Sequence, residues 1–173
     1  MERAIVIGNS GAGKSTFARA LRDVTGLPLH YLDRLWHRPD KTTATREEFD
    51  LRLGELLAGE RWIIDGNYRR TLEPRLAACD TVFFLDYPLE VCLAGVEARR
   101  GTVREDMPWI ETQEDPEFTA WIRDFARRDL PEIEALLDRY RASRKILRFQ
   151  SREEGQKYLA LLQESRDKQT LLK

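Results

Sequence analysis

Short runs of apolar residues alternate along this chain with longer segments of helical periodicity. The apolar runs predict buried strands at residues 4–7, 27–32, 62–65, 81–85 and 145–149. Amphipathic spacing predicts helices at residues 14–25, 46–58, 88–100, 118–128, 131–144 and 152–163, with Thr45 as the N-cap of the second. Strands that alternate with helices form βαβ units, so the pattern predicts an α/β fold with a five-stranded parallel sheet.

A complete phosphate-binding motif follows the first predicted strand. Residues 8–15 match the pattern G-x-x-x-x-G-K-[ST], and a helical pattern begins directly after the glycines. Glycines let backbone N–H groups turn toward a phosphate, and the helix adds its positive end. We therefore predict that Lys14 reaches the β- and γ-phosphates of ATP and that the Ser15 hydroxyl holds Mg²⁺. The predicted ATP-binding residues are Gly8, Asn9, Ser10, Gly11, Ala12, Gly13, Lys14, Ser15 and Thr16.

A second candidate site follows the predicted strand 62–65, which ends in Asp65. A carboxylate at a strand end beside the phosphate loop can hold Mg²⁺, so we assign Asp65 to the metal. The next residues offer a glycine, which lets a ligand approach, and arginine forks, which suit a phosphate or carboxylate. The predicted acceptor-binding residues are Gly66, Asn67, Arg69 and Arg70. The alternative is an ordinary Asp-Gly turn with solvated arginines.

Two further acidic residues follow predicted strands. Asp86 competes with Asp65 for the metal, but the glycine and asparagine after Asp65 favour Asp65. Asp33 is a candidate acceptor-binding residue, which accepts a hydrogen bond from the substrate hydroxyl, or a catalytic base for that hydroxyl. A helix-capping or turn role is the alternative for Asp33.

Residues 34–43 and 101–116 lack periodicity, and the second stretch is acidic and contains two prolines. Connections of this length inside a domain are more often lids or binding loops than linkers. We therefore interpret residues 1–173 as a single domain, with an acceptor-side segment at about 33–60 and a mobile lid at about 100–117. The tail from Ser165 onward is predicted to be frayed.

Arginine pairs flank the predicted lid, Arg99 with Arg100 on one side and Arg127 with Arg128 on the other. Phosphoryl transfer spreads negative charge over oxygens and needs cations that arrive as a lid closes, so we assign all four a catalytic role. Three aromatic residues at helical spacing predict a core-facing stripe that directs Arg128 inward. They are Phe118, Trp121 and Phe125. The alternatives are helix capping for the first pair and an Asp124–Arg128 ion pair for the second.

Composition narrows the possible functions. The 29 basic residues against 30 acidic residues give a net charge of -1, so no overall field attracts nucleic acid or a membrane. Cys79 and Cys92 lack metal-ligand or disulfide-framework spacing. Since no apolar stretch approaches the roughly 18 residues of a membrane helix, we expect a cytoplasmic protein. We expect a monomer or weak dimer.

The chain resembles the adenylate-kinase-like branch of the P-loop kinases, and most closely the bacterial DNA topology modulation proteins. The matching segments are GNSGAGKST, LPLHYLDRLWHRP, RWIIDGNYRRTLEPRL, CDTVFFLDYP, EARR and FARRDLPEI, in that order. The resemblance implies a P-loop NTPase fold of the nucleoside monophosphate kinase type, with three α/β/α layers. It implies that Asp65 and Gly66 approach metal and acceptor, that Arg69 grips an acceptor phosphate, and that the lid arginines touch the transferred phosphate. Asn67 and Tyr68 replace the aromatic-proline pair usual in adenylate kinases, which disfavours adenylate as the acceptor.

Two functions are compatible with these features. The first is an ATP- and Mg²⁺-dependent kinase that phosphorylates a nucleotide, nucleoside or similar small molecule. The second is a regulatory P-loop ATPase that acts on DNA or a protein partner. A DNA-acting protein should show a clustered basic stripe, whereas basic and acidic residues interleave along this chain, so the sequence favours the kinase.

Overall fold

A parallel five-stranded sheet lies at the centre of the computed structural model, which describes residues 1–171 and the side chains of residues 1–168. The strands are β1 (Arg3–Gly8), β2 (Leu29–Tyr31), β3 (Trp62–Asp65), β4 (Thr81–Leu85) and β5 (Lys145–Phe149). Their order across the sheet is β2-β3-β1-β4-β5, and each neighbouring pair is parallel. The predicted α/β fold and its five-stranded parallel sheet are confirmed.

Helices cover both faces of this sheet. They are α1 (Lys14–Thr25), α2 (Leu32–Trp36), α3 (Arg46–Leu57), α4 (Leu72–Ala78), α5 (Leu89–Arg99), α6 (Pro116–Arg123), α7 (Phe125–Arg128), α8 (Leu130–Tyr140) and α9 (Arg152–Leu171). A single 3₁₀ turn, Arg69–Thr71, precedes α4. The predicted cap of α3 forms, because the Thr45 hydroxyl accepts from the Glu48 amide and the Glu48 carboxylate accepts from the Thr45 amide. In the described part of the chain, no helix is long and apolar enough to cross a membrane.

The sheet has a hydrophobic cluster on each face, because successive side chains of a strand point to opposite faces of a sheet. Ile5 and Ile7 of β1 join a cluster with residues of α2, α3, α4 and α8. Ala4 and Val6 face the other way and pack with residues of α1, α5, α6 and α9. The result is the predicted arrangement of three layers, with a core on each side of the sheet.

The predicted helix 118–128 is wrong in one respect, because the chain breaks at Asp124 into α6 and α7. Phe125 is buried and Phe118 packs against the core, whereas Trp121 is 39% exposed, so the predicted core-facing stripe holds only in part. Asp124 pairs with Arg127 rather than with Arg128.

Two boundaries also differ from prediction. The predicted strand 27–32 shrinks to β2, since Leu32 already begins α2, and Asp33 therefore lies in the first turn of a helix. The chain was predicted to fray from Ser165 onward. This prediction is wrong for residues 165–171, because α9 continues to Leu171. Residues 172–173 lie outside the described residues.

The topology places two loops side by side. Strand β1 is the centre of the sheet, with β3 on one side and β4 on the other. Val6 of β1 pairs in register with Asp65, the last residue of β3. Ligands of open α/β sheets bind at the carboxyl ends of the strands where the order reverses, so the loops after β1 and β3 share one candidate site.

Candidate active site

A large cleft of about 2230 Å³ opens at this edge of the sheet. Its walls come from the phosphate loop, the loop after β3, the C-terminal end of α5, residues 102–119, and the starts of α2 and α9. Most of the predicted site residues therefore lie around one space, although they are far apart in sequence.

The phosphate loop is built by glycines that have positive φ angles, which other residues rarely adopt. Gly11 has a φ of 82° and Gly13 has a φ of 90° at the start of α1, conformations that side chains disfavour. A Cβ at Gly11 would lie 1.9 Å from the Cys92 carbonyl oxygen of α5. The Asn9 side chain anchors the loop further, since its amide donates to the Ile122 carbonyl and its oxygen accepts from the Ser10 amide.

Gly95 of α5 completes this packing, because a Cβ there would lie 2.1 Å from the Gly11 carbonyl oxygen. We expect Gly95→Ala to displace the phosphate loop, to lower the affinity for Mg²⁺·ATP at least about tenfold, and to destabilise the fold by about 1–3 kcal/mol. Titration calorimetry and thermal unfolding measure the two effects. Gly54→Ala is the matched control, since Gly54 also lies in a helix but has open space around it. Unchanged affinity in Gly95→Ala would contradict the proposed packing constraint.

Lys14, Ser15 and Asp65 meet on the floor of the cleft. The Ser15 hydroxyl donates to Asp65 Oδ2 at 2.6 Å, so the structure brings together the two residues assigned to the metal. Lys14 Nζ donates to the Asn9 carbonyl at 2.9 Å. Burial lowers the pKa of Lys14, and the negative charges of Asp65 and Asp33 oppose that effect.

The ionised form of Asp65 is electrostatically unfavourable at this buried position. Burial raises its pKa to about 6, although Lys14 and the Ser15 hydroxyl favour the ionised form. Its Oδ1 atom is buried, and no described residue donates a hydrogen bond to it. A buried carboxylate oxygen without a partner, next to a serine hydroxyl, fits Mg²⁺, which prefers oxygen ligands.

Asp86 lies elsewhere and is already paired. Its Oδ2 accepts hydrogen bonds from Arg148 Nε at 2.9 Å and Nη2 at 2.6 Å. Among the described residues, those lining the cleft do not include Asp86. The geometry therefore favours Asp65 over Asp86 as the acid beside the phosphate loop.

The residues after β3 connect the phosphate loop to α2. Asn67 Oδ1 accepts from the Gly8 amide at 3.3 Å, and the Tyr68 hydroxyl donates to Asp33 Oδ1 at 2.8 Å. Gly66 has a φ of 142°, and a Cβ there would lie 2.8 Å from the Leu32 Cβ. Asp33 thus faces the cleft from a helix rather than from a strand end, with Tyr68 as its partner.

Arginines on the acceptor side have fixed positions. Arg128 stacks on Trp121, with its guanidinium carbon 4.1 Å from the ring centroid, and pairs with Asp129. Arg69 donates to the Arg128 carbonyl at 2.9 Å and pairs with Glu132. Arg70, which also lines the cleft, forms a bidentate ion pair with the Asp50 carboxylate, with distances of 2.6 and 2.9 Å.

Two arginines line the cleft near the predicted lid, Arg99 at the end of α5 and Arg104 within the lid segment. Glu111 lies 3.8 Å from Arg99 Nε and 3.3 Å from Arg104 Nη2. Arg99 Nε and Arg104 Nη1 are buried, and neither donates a hydrogen bond to any described residue. Unused buried donors at a cleft fit an incoming polyanion, because an unsatisfied buried donor costs free energy.

The other member of each predicted arginine pair is placed differently. Arg100 reaches the cleft wall but pairs with Glu97 and Glu114. Arg127 is 83% exposed at its side chain and pairs with Asp124, outside the residues described as lining the cleft. The structure therefore brings Arg99 and Arg128, but not Arg127, to the site.

The lid segment rests on the body of the protein. Glu105 binds Arg22 through its carboxylate at 2.7 Å and Arg34 through its carbonyl at 2.8 Å. Trp109 packs edge-on against His37, with ring centroids 5.0 Å apart. These contacts join residues 105–109 to α1, to α2 and to the segment after α2, so the predicted lid is packed against the body of the protein beside the cleft.

Sequence reasoning missed several residues that shape the site. Gly95 is an isolated glycine in a helical pattern, a signal of close packing. Arg104 lies inside a stretch without periodicity, which gave no basis for a choice among its charged residues. In the sequence, Tyr68 stands out only as a departure from adenylate kinases. Its hydrogen-bond partner, Asp33, is 35 residues away, so the sequence does not indicate the contact.

Comparisons with solved structures show what this fold is similar to. Shikimate kinase from Acinetobacter baumannii in complex with shikimate is 19% identical, over 95% of this chain and 94% of that one, with a TM-score of 0.61. Shikimate kinase from Bacteroides thetaiotaomicron is 18% identical over 96% and 98%, with a TM-score of 0.58. Shikimate kinase from Aquifex aeolicus is 19% identical over 98% of each chain, with a TM-score of 0.50.

No protein-family model and no curated protein matches the chain. The likeness to solved structures extends over nearly the whole length of both chains. At this level of identity it concerns the arrangement of the backbone. The chain has the same α/β fold as these solved structures.

Proposed function

We propose that this protein is a kinase that transfers the γ-phosphoryl group of ATP to a hydroxyl group of a small molecule. The observation that carries the proposal is the contact between Ser15 and Asp65 beside a phosphate loop, in a cleft where Arg99 and Arg104 hold unused donors. These are the parts that phosphoryl transfer requires, because its catalysis consists mainly of positioning and of stabilising charge.

The donor side follows from the loop and the lid. Lys14 and the loop amides bind the phosphates, and Arg99 and Arg104 neutralise the charge that develops on the moving group. Ser15 and Asp65 hold Mg²⁺, which when bound offsets negative charge on the phosphate oxygens. Glu111, which pairs with both arginines, and Asp106, which also pairs with Arg104, must release them as the phosphates arrive.

The acceptor side lies around Asp33. The hydroxyl oxygen of the acceptor forms a bond to the γ-phosphorus, the bond from that phosphorus to the ADP oxygen breaks, and the Asp33 carboxylate takes the hydroxyl proton. Tyr68 orients this carboxylate by its hydrogen bond. Arg69 and Arg128 at the cleft supply positive charge for an anionic group on the acceptor, and Gly66 and Asn67 line the same side.

A small acceptor is favoured over DNA or a protein partner because Asp33 is half-buried and lines the cleft. One structural neighbour was solved with shikimate, a small hydroxylated molecule, which supports an acceptor of this size. Membership of the DNA topology modulation proteins is part of the proposal, supported by the ordered sequence segments. We further propose that the enzyme acts in the cytoplasm as a monomer or weak dimer.

The deciding experiment measures ADP release by the purified protein with ATP and Mg²⁺. The panel contains nucleotides, nucleosides, hydroxylated carboxylates and phosphorylated sugars, with double-stranded DNA as a separate arm. We expect one class of small hydroxylated anions to raise ADP release and to yield a phosphorylated product in a mass spectrum. ADP release that rises with DNA alone, without a phosphorylated product, would favour the regulatory ATPase.

Arg104 provides a test of the lid. We expect Arg104→Met to lower kcat about a hundredfold, because it removes a cation from the developing negative charge. Arg22→Met is the matched control, since Arg22 also binds the lid, through Glu105, but stands outside the cleft. Steady-state ADP release compares the two variants. Equal losses in both would assign Arg104 to anchoring of the lid instead of to the reaction.

A further inference from the structure

Arg75 is a buried cation on the far side of the loop after β3. It lies in α4 and its relative exposure is 0%. Its guanidinium donates to three backbone carbonyls of that loop, to Gly66 at 2.7 Å, Tyr68 at 2.8 Å and Thr71 at 3.1 Å. One side chain therefore ties together the beginning, middle and end of residues 66–71.

Hydrogen bonds to the loop backbone, rather than an ion pair, hold the buried charge of Arg75. None of the carboxylates that the structure describes forms an ion pair with Arg75, whose hydrogen bonds all go to neutral carbonyls. Burial lowers the pKa of Arg75 to about 10, so the group still carries its charge at neutral pH. Without Arg75 these three carbonyls would lose their donor, so the guanidinium fixes where the backbone of the loop lies.

The loop that Arg75 holds reaches both halves of the cleft. Asn67 touches the phosphate loop through the Gly8 amide, and Tyr68 holds Asp33. The Gly66 and Tyr68 carbonyls both accept hydrogen bonds from the Arg75 guanidinium. A shift of this loop would therefore move Asp33's partner and the wall of the acceptor site.

We propose that Arg75 is a positioning residue that fixes residues 66–71 in the shape needed to bind the acceptor. This inference rests on the proposed kinase function for its catalytic consequence. Only arginine offers donors in a rigid planar fork that can reach three carbonyls at once, whereas lysine offers a single nitrogen. Misplacement by about 1 Å can cost about a hundredfold in rate, so a loosened loop should be evident in turnover.

The test compares Arg75→Met and Arg75→Lys with Arg144→Met in the full chain. Arg144 is the matched control, because it donates to the Leu76 and Ala77 carbonyls at the other end of α4, away from the cleft. Hydrogen exchange of residues 66–71 should accelerate at least about tenfold in both Arg75 variants and stay at the wild-type rate in Arg144→Met. Mg²⁺·ADP binding, measured by calorimetry, should change less than threefold.

With the acceptor found in the ADP-release screen, Arg75→Met should raise the acceptor KM about tenfold or more, with a smaller change in the KM for ATP. If no acceptor is found, the kinase proposal fails, but the exchange measurement still decides whether Arg75 holds the loop. If Arg75→Met does not fold, Arg75→Lys carries the same test. Wild-type exchange in the loop of a folded Arg75 variant would overturn the inference, as would equal changes in Arg144→Met.

Discussion

Lys14→Ala is expected to lower the rate of phosphoryl transfer about a thousandfold or more while the protein stays folded. The Lys14 ammonium group donates a hydrogen bond to the Asn9 carbonyl of the phosphate loop. Burial lowers its pKa, which shows that the surroundings disfavour the charge when no phosphate is present. Removing the charge should therefore cost little stability but remove the cation that faces the transferred group.

Steady-state ADP release with saturating ATP and Mg²⁺ measures the loss, and circular dichroism with thermal unfolding checks the fold. Lys41→Ala is the matched control, because Lys41 is an exposed lysine that also lines the cleft. We expect nearly wild-type turnover in Lys41→Ala. Near-normal turnover in Lys14→Ala would remove the basis for placing the ATP phosphates at this loop.

The strands were predictable because parallel strands buried on both faces consist of nearly continuous apolar residues. The residues of β4, for example, are all buried. The helices α2 and α4 were missed because they contain only five and seven residues, too few for a helical period to emerge. The break at Asp124 was missed because the same aromatic spacing suits one helix or two short ones.

The phosphate loop was predictable because the motif that builds it is contiguous. The contact between Ser15 and Asp65 followed from a rule of topology, since strand ends at one edge of a sheet come together. The contacts of Gly95 and Arg75 depend on side chains that approach backbone carbonyls of other elements. Such contacts leave no periodic or compositional signal, so they required coordinates.

Asp65 shows why a site can oppose the stability of its own fold. A carboxylate that is buried without full hydrogen bonding costs free energy, and its raised pKa expresses that cost. Such a cost is expected at a position that, as proposed, binds Mg²⁺. Asp65 is therefore the residue at which loss of function and gain of stability should coincide.

Asp65→Asn is expected to stabilise the nucleotide-free protein at neutral pH and to weaken its Mg²⁺-dependent activity. The folded state raises the pKa of Asp65 from 3.8 to about 6, so the folded chain binds this proton more tightly than the unfolded chain does. The contribution of Asp65 to stability is therefore greatest below about pH 4 and falls as the pH rises to about 6. Above that pH the wild-type protein bears a cost of up to about 3 kcal/mol that the asparagine variant avoids.

Urea unfolding of both proteins between about pH 4 and pH 8, in the presence of a metal chelator, measures this difference. The variant should be more stable at pH 8, and its advantage should shrink toward zero as the pH approaches 4. Asp86→Asn is the control that also removes a strand-end carboxylate, but it breaks the pair with Arg148 and should bring no such gain.

The Mg²⁺ concentration for half-maximal ADP release should rise in Asp65→Asn and stay near the wild-type value in Asp86→Asn. If Asp65→Asn is less stable than the wild type at pH 8, burial is not what governs this carboxylate. If Asp86→Asn has the larger effect on Mg²⁺ dependence, the metal is held beside β4 instead.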